Sequence, residues 1–218
     1  DIKLFSPEII LILGAIFILL YGIFFKKDKN SNKKILYISL ISLIASLYCS
    51  IYVVDIGTNS FNNLLNNNLY TLFFKILVFT GTIVIIYISY EYLKDLSLIT
   101  PEFFFLILLS LVGILVLISS RNIISMYLGL ELQSICLYIL ASYRKYDIKS
   151  SEAGVKYFIT GALSSGVLLY GLSIIYAFTN STDFYEISKS INLSLQNNEN
   201  FLIINIGFVL ILCGLFFK

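Results

Sequence analysis

The chain alternates apolar runs of membrane-spanning length with short polar breaks. Seven such runs are drawn: Ser6–Phe25, Ile35–Val54, Tyr70–Tyr90, Phe103–Ser119, Ile123–Ser142, Ala153–Phe178, and one from Phe201 onward. A helix of about 20 apolar residues crosses a ~30 Å hydrocarbon core. Spanning strands would instead alternate apolar and polar residues over about 10 positions. The expected fold is therefore all-α, a polytopic transmembrane helix bundle of about seven spans. The sixth run is long enough to tilt or to project beyond the bilayer. The Asn- and Ser-rich segments around Asn62–Asn68 and Asn192–Asn200 read as loops. Asn180-Ser181-Thr182 fits a glycosylation acceptor, a pattern common by chance.

Composition agrees with this pattern. Hydrophobic residues make up 58% of the chain and charged residues 13%. Soluble domains carry about 25% charged residues. Basic residues fall mostly on one side of the spans. Lys26, Lys27, Lys29, Lys33, Lys34, Lys94, Arg144, Lys145 and Lys149 share one face of the membrane, and Lys3, Arg121 and Lys189 share the other. The positive-inside rule then puts the N-terminus opposite the cytoplasm or matrix. The first run is too long for a cleaved signal, and its basic residues follow it rather than precede it. The chain has no histidine, and its three cysteines (Cys49, Cys136, Cys213) are far apart. Neither a zinc site nor an iron–sulfur site is expected, and the cysteines read as small packing residues. No glycine-rich nucleotide loop follows a strand pattern. High Ile, Asn, Tyr and Phe content has the look of an AT-rich organelle genome.

Glu131 is the residue that changes the picture. It stands about nine residues into the fifth run, roughly 12 Å deep by helical rise. A charge at that depth is expensive unless paired, hydrated or protonated, and such residues mark proton relays, ion paths or structural ion pairs. Tyr127 and Ser134 share its helical face at i−4 and i+3. Gln133 faces a neighbouring helix. Lys75 is expected to snorkel from a span end. Lys156 lies near the start of the sixth run, four residues after Glu152, so a helical ion pair is expected. Ser150 or Ser151 is expected to cap that helix. Gly161, Ala162, Ser165 and Gly166 suit close helix packing. A deep Glu beside a Lys from another span is a titratable pair, and separating the two changes the proton affinity of both.

Three blocks carry a family resemblance: Leu130-Glu131-Leu132-Gln133-Ser134, then Ser151-Glu152-Ala153-Gly154-Val155-Lys156-Tyr157-Phe158, then Gly161-Ala162-Leu163-Ser164-Ser165-Gly166-Val167-Leu168-Leu169-Tyr170-Gly171. Over these the chain closely resembles NADH dehydrogenase subunit 2, the antiporter-like membrane subunit family of respiratory complex I. Gly214–Lys218 is similar to the family's Gly-hydrophobic-Phe-Lys segment, and Phe5–Ile9 to its start. The resemblance implies proton translocation coupled to electron transfer from NADH to ubiquinone. It assigns proton-translocation roles to Glu131 and Lys218 as a coupled pair, and to Lys156 near the path. It implies residues 1–120 as helices 1–4, and 121–218 as helices 5–7, the start of the first proton-translocating repeat with a broken seventh helix. No cofactor is expected on this chain; NADH, FMN, iron–sulfur clusters and ubiquinone fall to other subunits. Partners would be other membrane-arm subunits, membrane lipids and no nucleic acid. The family continues past this lysine. A second polypeptide is expected to supply the remaining helices if the gene is split; otherwise the chain is a fragment. The implied location is the mitochondrial inner membrane, N-terminus toward the intermembrane space. A stand-alone cation/proton antiporter subunit and a scaffold with an ion-paired Glu131 are the rival readings.

Overall fold

A computed structural model describes residues 3–24, 31–54, 59–60, 64–96, 98–144, 146–196 and 201–218. Most of the basic segment between the first two spans, with Asn62, Asn63, Lys145 and residues 197–200, lies outside them. The described elements are α1 (Ser6–Phe24), α2 (Ser31–Val54), the short strands β1 (Asn59–Ser60) and β2 (Leu65–Asn66), α3 (Leu69–Asp95), α4 (Pro101–Ser119), α5 (Ile123–Ala141), α6 (Ile148–Thr179), α7 (Phe184–Gln196) and α8 (Phe201–Phe217). Among the described residues, α1 to α6 are long and apolar enough to cross a membrane. The seventh expected segment forms α8, an apolar helix of 17 residues.

The helix ends follow local chemistry. Pro101 opens α4, where its missing N–H is no loss. Asn122 caps α5 by accepting from the Ile124 N–H at 2.8 Å. The expected serine cap of α6 is corrected: Asp147 caps it, accepting from the Lys149 N–H at 3.1 Å. Asp147 lies upstream of the apolar run, so the helix starts a turn and a half before that run does. Ser150 sits in the first turn and donates to the Ala141 carbonyl at 3.1 Å. Asn180 ends α6 in the left-handed region with φ 50°, its N–H bonded to Tyr176 O at 2.8 Å. The segment expected to be loop between spans six and seven holds α7, an amphipathic helix. Its polar residues outnumber its apolar ones, and span-length hydrophobicity is blind to such a helix.

Packing falls into two apolar clusters. One joins α1 to α4 through Leu11, Ile18, Leu43, Phe79, Phe104, Leu108, Leu111 and Leu115. The other joins α5 to α8 through Ile123, Leu168, Leu172, Ile175, Ile187 and Ile204. Between the clusters, α4 and α5 meet glycine to glycine. A Cβ on Gly113 would stand 2.8 Å from Gly129 O, and one on Gly129 would stand 2.9 Å from Gly113 O. In lipid, where apolar burial drives little association, such close approach supplies dispersion contact instead. Leu, Ile, Phe and Tyr crowd the outer faces of α1 to α3 and α6.

One end of the bundle is tied by backbone bonds. Arg121 N–H donates to Leu64 O at 3.0 Å, and Ile123 N–H to Thr182 O at 2.9 Å. Arg121 also pairs with Asp183 at 3.2 Å. At the opposite end the Tyr143 hydroxyl lies 2.8 Å from Leu98 O and 2.7 Å from Thr100 Oγ1. It fastens the α3–α4 connection to the end of α5. Tyr143→Phe is expected to lower stability by about 1 kcal/mol through these lost bonds. Thermal unfolding of the detergent-solubilised parent and variant checks this; identical midpoints would show that the tie contributes nothing.

Candidate functional site: a deep lysine–carboxylate pair

Glu131 lies near the middle of α5, and Lys218 directly follows α8. The Lys218 ammonium stands 2.5 Å from Glu131 Oε1 and donates to Ser165 Oγ at 3.1 Å. Three elements thus converge on one cation. The side chains of Lys218 and Glu131 are 11% and 24% exposed, so the pair is enclosed but not sealed. In such a setting the attraction between the two charges is screened less than in bulk water.

The backbone explains how Lys218 arrives there. α8 lies along α6 at glycine distance. A Cβ on Gly214 would fall 2.6 Å from Leu168 Cβ and 2.8 Å from its backbone N, and one on Gly171 would fall 2.8 Å from Ile211 N. Lys218 stands one turn beyond Gly214, on the same face. α6 contributes Ser165 from a buried face that runs through Gly154, Gly161, Ser164, Ser165, Leu168 and Gly171. Ser134, which shares the Glu131 face, donates to its own helix carbonyls at Leu130 (2.8 Å) and Glu131 (3.1 Å). Its hydroxyl supports the α5 backbone rather than the carboxylate. Gln133 sets its backbone against Gly113 of α4.

Lys156 is not brought to this pair. It forms the expected i,i+4 bond with Glu152 at 2.5 Å, with the two side chains 73% and 57% exposed. Nine residues separate it from Ser165, about two and a half turns, which puts the two on opposite faces of α6. Ser165 went unassigned at the sequence level, where it reads as one small residue among several; only a partner lysine reveals its role.

A second pair was missed entirely. Lys75 of α3 donates to Glu8 Oε1 of α1 at 2.9 Å and to Asn67 Oδ1 at 3.2 Å. Glu8 is 1%, Lys75 3% and Asn67 4% exposed. Snorkelling of Lys75 is thereby corrected: its ammonium turns inward to a carboxylate instead of outward to water. A signal for this exists. α1 and α3 start from the same side, and Glu8 and Lys75 stand two and six residues past their starts. They therefore lie within about 6 Å of each other in depth. Among the described residues no group of three His, Cys, Asp or Glu side chains is placed to hold a metal ion.

Comparison with known proteins places this geometry in context. Residues 120–218 match the family model described as NADH:quinone oxidoreductase/Mrp antiporter, TM. The whole chain is 38% identical to NADH-quinone oxidoreductase subunit N of Pelagibacter ubique and 34% identical to that of Maricaulis maris, covering 45% and 44% of those proteins. The chain thus spans less than half the length of the relatives it matches. Its fold matches a chain of respiratory complex I from Thermus thermophilus, with TM-score 0.70 and 23% identity over 96% of this chain and 43% of that one. It also matches a chain of an archaeal membrane-bound sulfane sulfur reductase, with TM-score 0.75 and 19% identity over 99% of this chain and 44% of that one.

Proposed function

We propose that this chain, whose residues 120–218 match the NADH:quinone oxidoreductase/Mrp antiporter model, is the N-terminal part of an antiporter-like subunit and takes part in proton translocation in the membrane arm of respiratory complex I. The observation that carries the proposal is the Lys218 ammonium held 2.5 Å from the mid-membrane Glu131. The pair is a store for one proton. With the two in contact, the carboxylate neutralises the ammonium within the apolar bundle. Parting the two leaves each without its counter-charge, and that is what couples movement of Lys218 to movement of a proton in this reading. Ser165 holds the ammonium in the closed arrangement. Redox chemistry stays with other subunits: NADH, FMN, iron–sulfur clusters and ubiquinone have no place on this chain in this reading.

Other membrane-arm subunits are the expected neighbours, with the remaining helices of the subunit supplied by a second polypeptide or by the rest of a longer one. Lipid covers the outer apolar faces. The Ile-, Asn-, Tyr- and Phe-rich composition supports a mitochondrial subunit 2, although the relatives named above are bacterial. The charge asymmetry of the loops supports an N-terminus on the intermembrane-space side. The family description also names an antiporter, which keeps a stand-alone cation/proton antiporter subunit as the second reading. Co-purification with redox subunits separates that reading from this one.

Glu131→Gln in the intact complex tests the proposal. Proton pumping in sealed vesicles is expected to fall several-fold, while NADH oxidation by an artificial acceptor continues at the parent rate. Parent-level pumping in an assembled Glu131→Gln complex would remove the assigned role. If pumping also survives loss of both Glu131 and Lys218, the pair is merely structural.

A further inference from the structure

Tyr138 lies on α5 seven residues beyond Glu131, on the face that carries Glu131 and Ser134. It is 7% exposed. Its hydroxyl is buried with no hydrogen-bond partner among the described residues. Leaving a buried hydroxyl unbonded costs about 1–3 kcal/mol, so a residue with that atom in that place calls for a reason. Phenylalanine would fill the same space without it.

The hydroxyl is aimed at a notch in α6. A Cβ on Gly161 would fall 2.0 Å from Tyr138 Oη and 2.4 Å from Cζ. Only glycine admits the phenol there. The ring is held by Tyr157 and Phe158, edge-on at centroid distances of 4.7 and 5.9 Å, so its aim is fixed by packing rather than by a hydrogen bond. One turn further along the same face of α6 is Ser165, the residue bonded to Lys218. Four residues of helical rise are about 6 Å. A water that bonds to both hydroxyls would complete the link between the two positions.

We infer that the Tyr138 hydroxyl, set in the Gly161 notch, is a proton-handling group that connects the Glu131–Lys218 pair, by one water and Ser165, to the end of α5 that leads to Arg144. This rests on the proposed role of that pair. The transfer needs no ionised phenol. The hydroxyl passes its own proton to the water and takes another from the opposite side, so one proton moves, no net charge is left on the ring, and no bond other than O–H is made or broken. Ser165 repeats the exchange. The α5 polar face then works as a line: Tyr138 outermost, the carboxylate innermost, with α6 supplying the intervening hydroxyl.

Tyr138→Phe in the intact complex, reconstituted into sealed vesicles, tests this. It removes one unbonded oxygen, so assembly and thermal stability are expected to equal or slightly exceed the parent. Pumping is expected to fall several-fold, and its solvent deuterium isotope effect to rise, because the interrupted transfer becomes rate-limiting. A packing role would leave the isotope effect unchanged. Gly161→Ala is the second arm. Its methyl carbon fills the notch while the phenol remains, and the same loss is expected. Glu131→Gln is measured alongside. If it is impaired while assembled Tyr138→Phe or Gly161→Ala pumps like the parent with an unchanged isotope effect, the Tyr138 role is overturned and the site reading stands. If Glu131→Gln itself pumps normally, both fall.

Discussion

Replacing Lys75 with methionine is expected to destabilise the protein by about 3–5 kcal/mol, the range for removing one partner of a buried ion pair. Lys75 and Glu8 are almost fully enclosed, and Glu8 Oε2 already lacks a partner among the described residues. Methionine keeps most of the volume of the lysine stem, so the loss isolates the charge rather than a cavity. It would leave the Glu8 carboxylate with no counter-ion and Asn67 Oδ1 without its donor. The Glu8→Leu, Lys75→Met double variant removes both charges and is expected to recover much of the loss, since apolar pairs of similar volume often replace buried ion pairs at little cost. Thermal inactivation of the assembled complex across the three variants is the measurement. A Lys75→Met complex as stable as the parent would show that the enclosure is not as dry as its exposure implies.

That pair also marks the limit of reading the sequence. Spans follow from local composition, because a bilayer imposes a length that any apolar run either meets or misses. The depth of Glu131 is legible for the same reason. What a charge points at is not local. Lys75 is equally placed to snorkel outward or turn inward, and the deciding atom belongs to Glu8, 67 residues away. Lys156 and Lys218 look alike as embedded lysines. One sits on the outer face of α6 and the other beneath α8, and that difference comes from how the two helices pack. α7 escaped because its signal is periodic rather than cumulative. The cap of α6 escaped because the expected cap, Ser150 or Ser151, adjoins the apolar run, whereas the helix begins earlier, after Asp147.

Gly214→Val is expected to reduce proton pumping about a hundredfold, in line with the penalty for misplacing a reacting group by about 1 Å. The atoms a side chain would meet here are the backbone N and Cα of Leu168, both at 2.8 Å, and these cannot step aside as a flexible side chain can. α8 must therefore move off α6. Lys218, one turn later, moves with it and gives up the 2.5 Å contact with Glu131 and the 3.1 Å contact with Ser165. Electron transfer from NADH to an artificial acceptor, which needs none of these atoms, is expected to persist. The structure of the Gly214→Val protein reads the displacement directly: the Lys218 contacts with Glu131 and Ser165 are expected to be lost. Normal pumping by Gly214→Val would mean that α8 is held by something other than its contact with α6.

The division of the apolar packing into two clusters also has a bearing on biogenesis. Helices emerge from the translocon in chain order, and α1 to α4 share one cluster among themselves. The nascent chain can close that cluster, with its sealed Glu8–Lys75 clasp, before α6 and α8 exist. The later helices then dock on a finished platform through the glycine seam of α4 and α5. A lesion in the first cluster should therefore be met by quality control during insertion, whereas a lesion at Lys218 should yield a protein that inserts, assembles and fails only when asked to work.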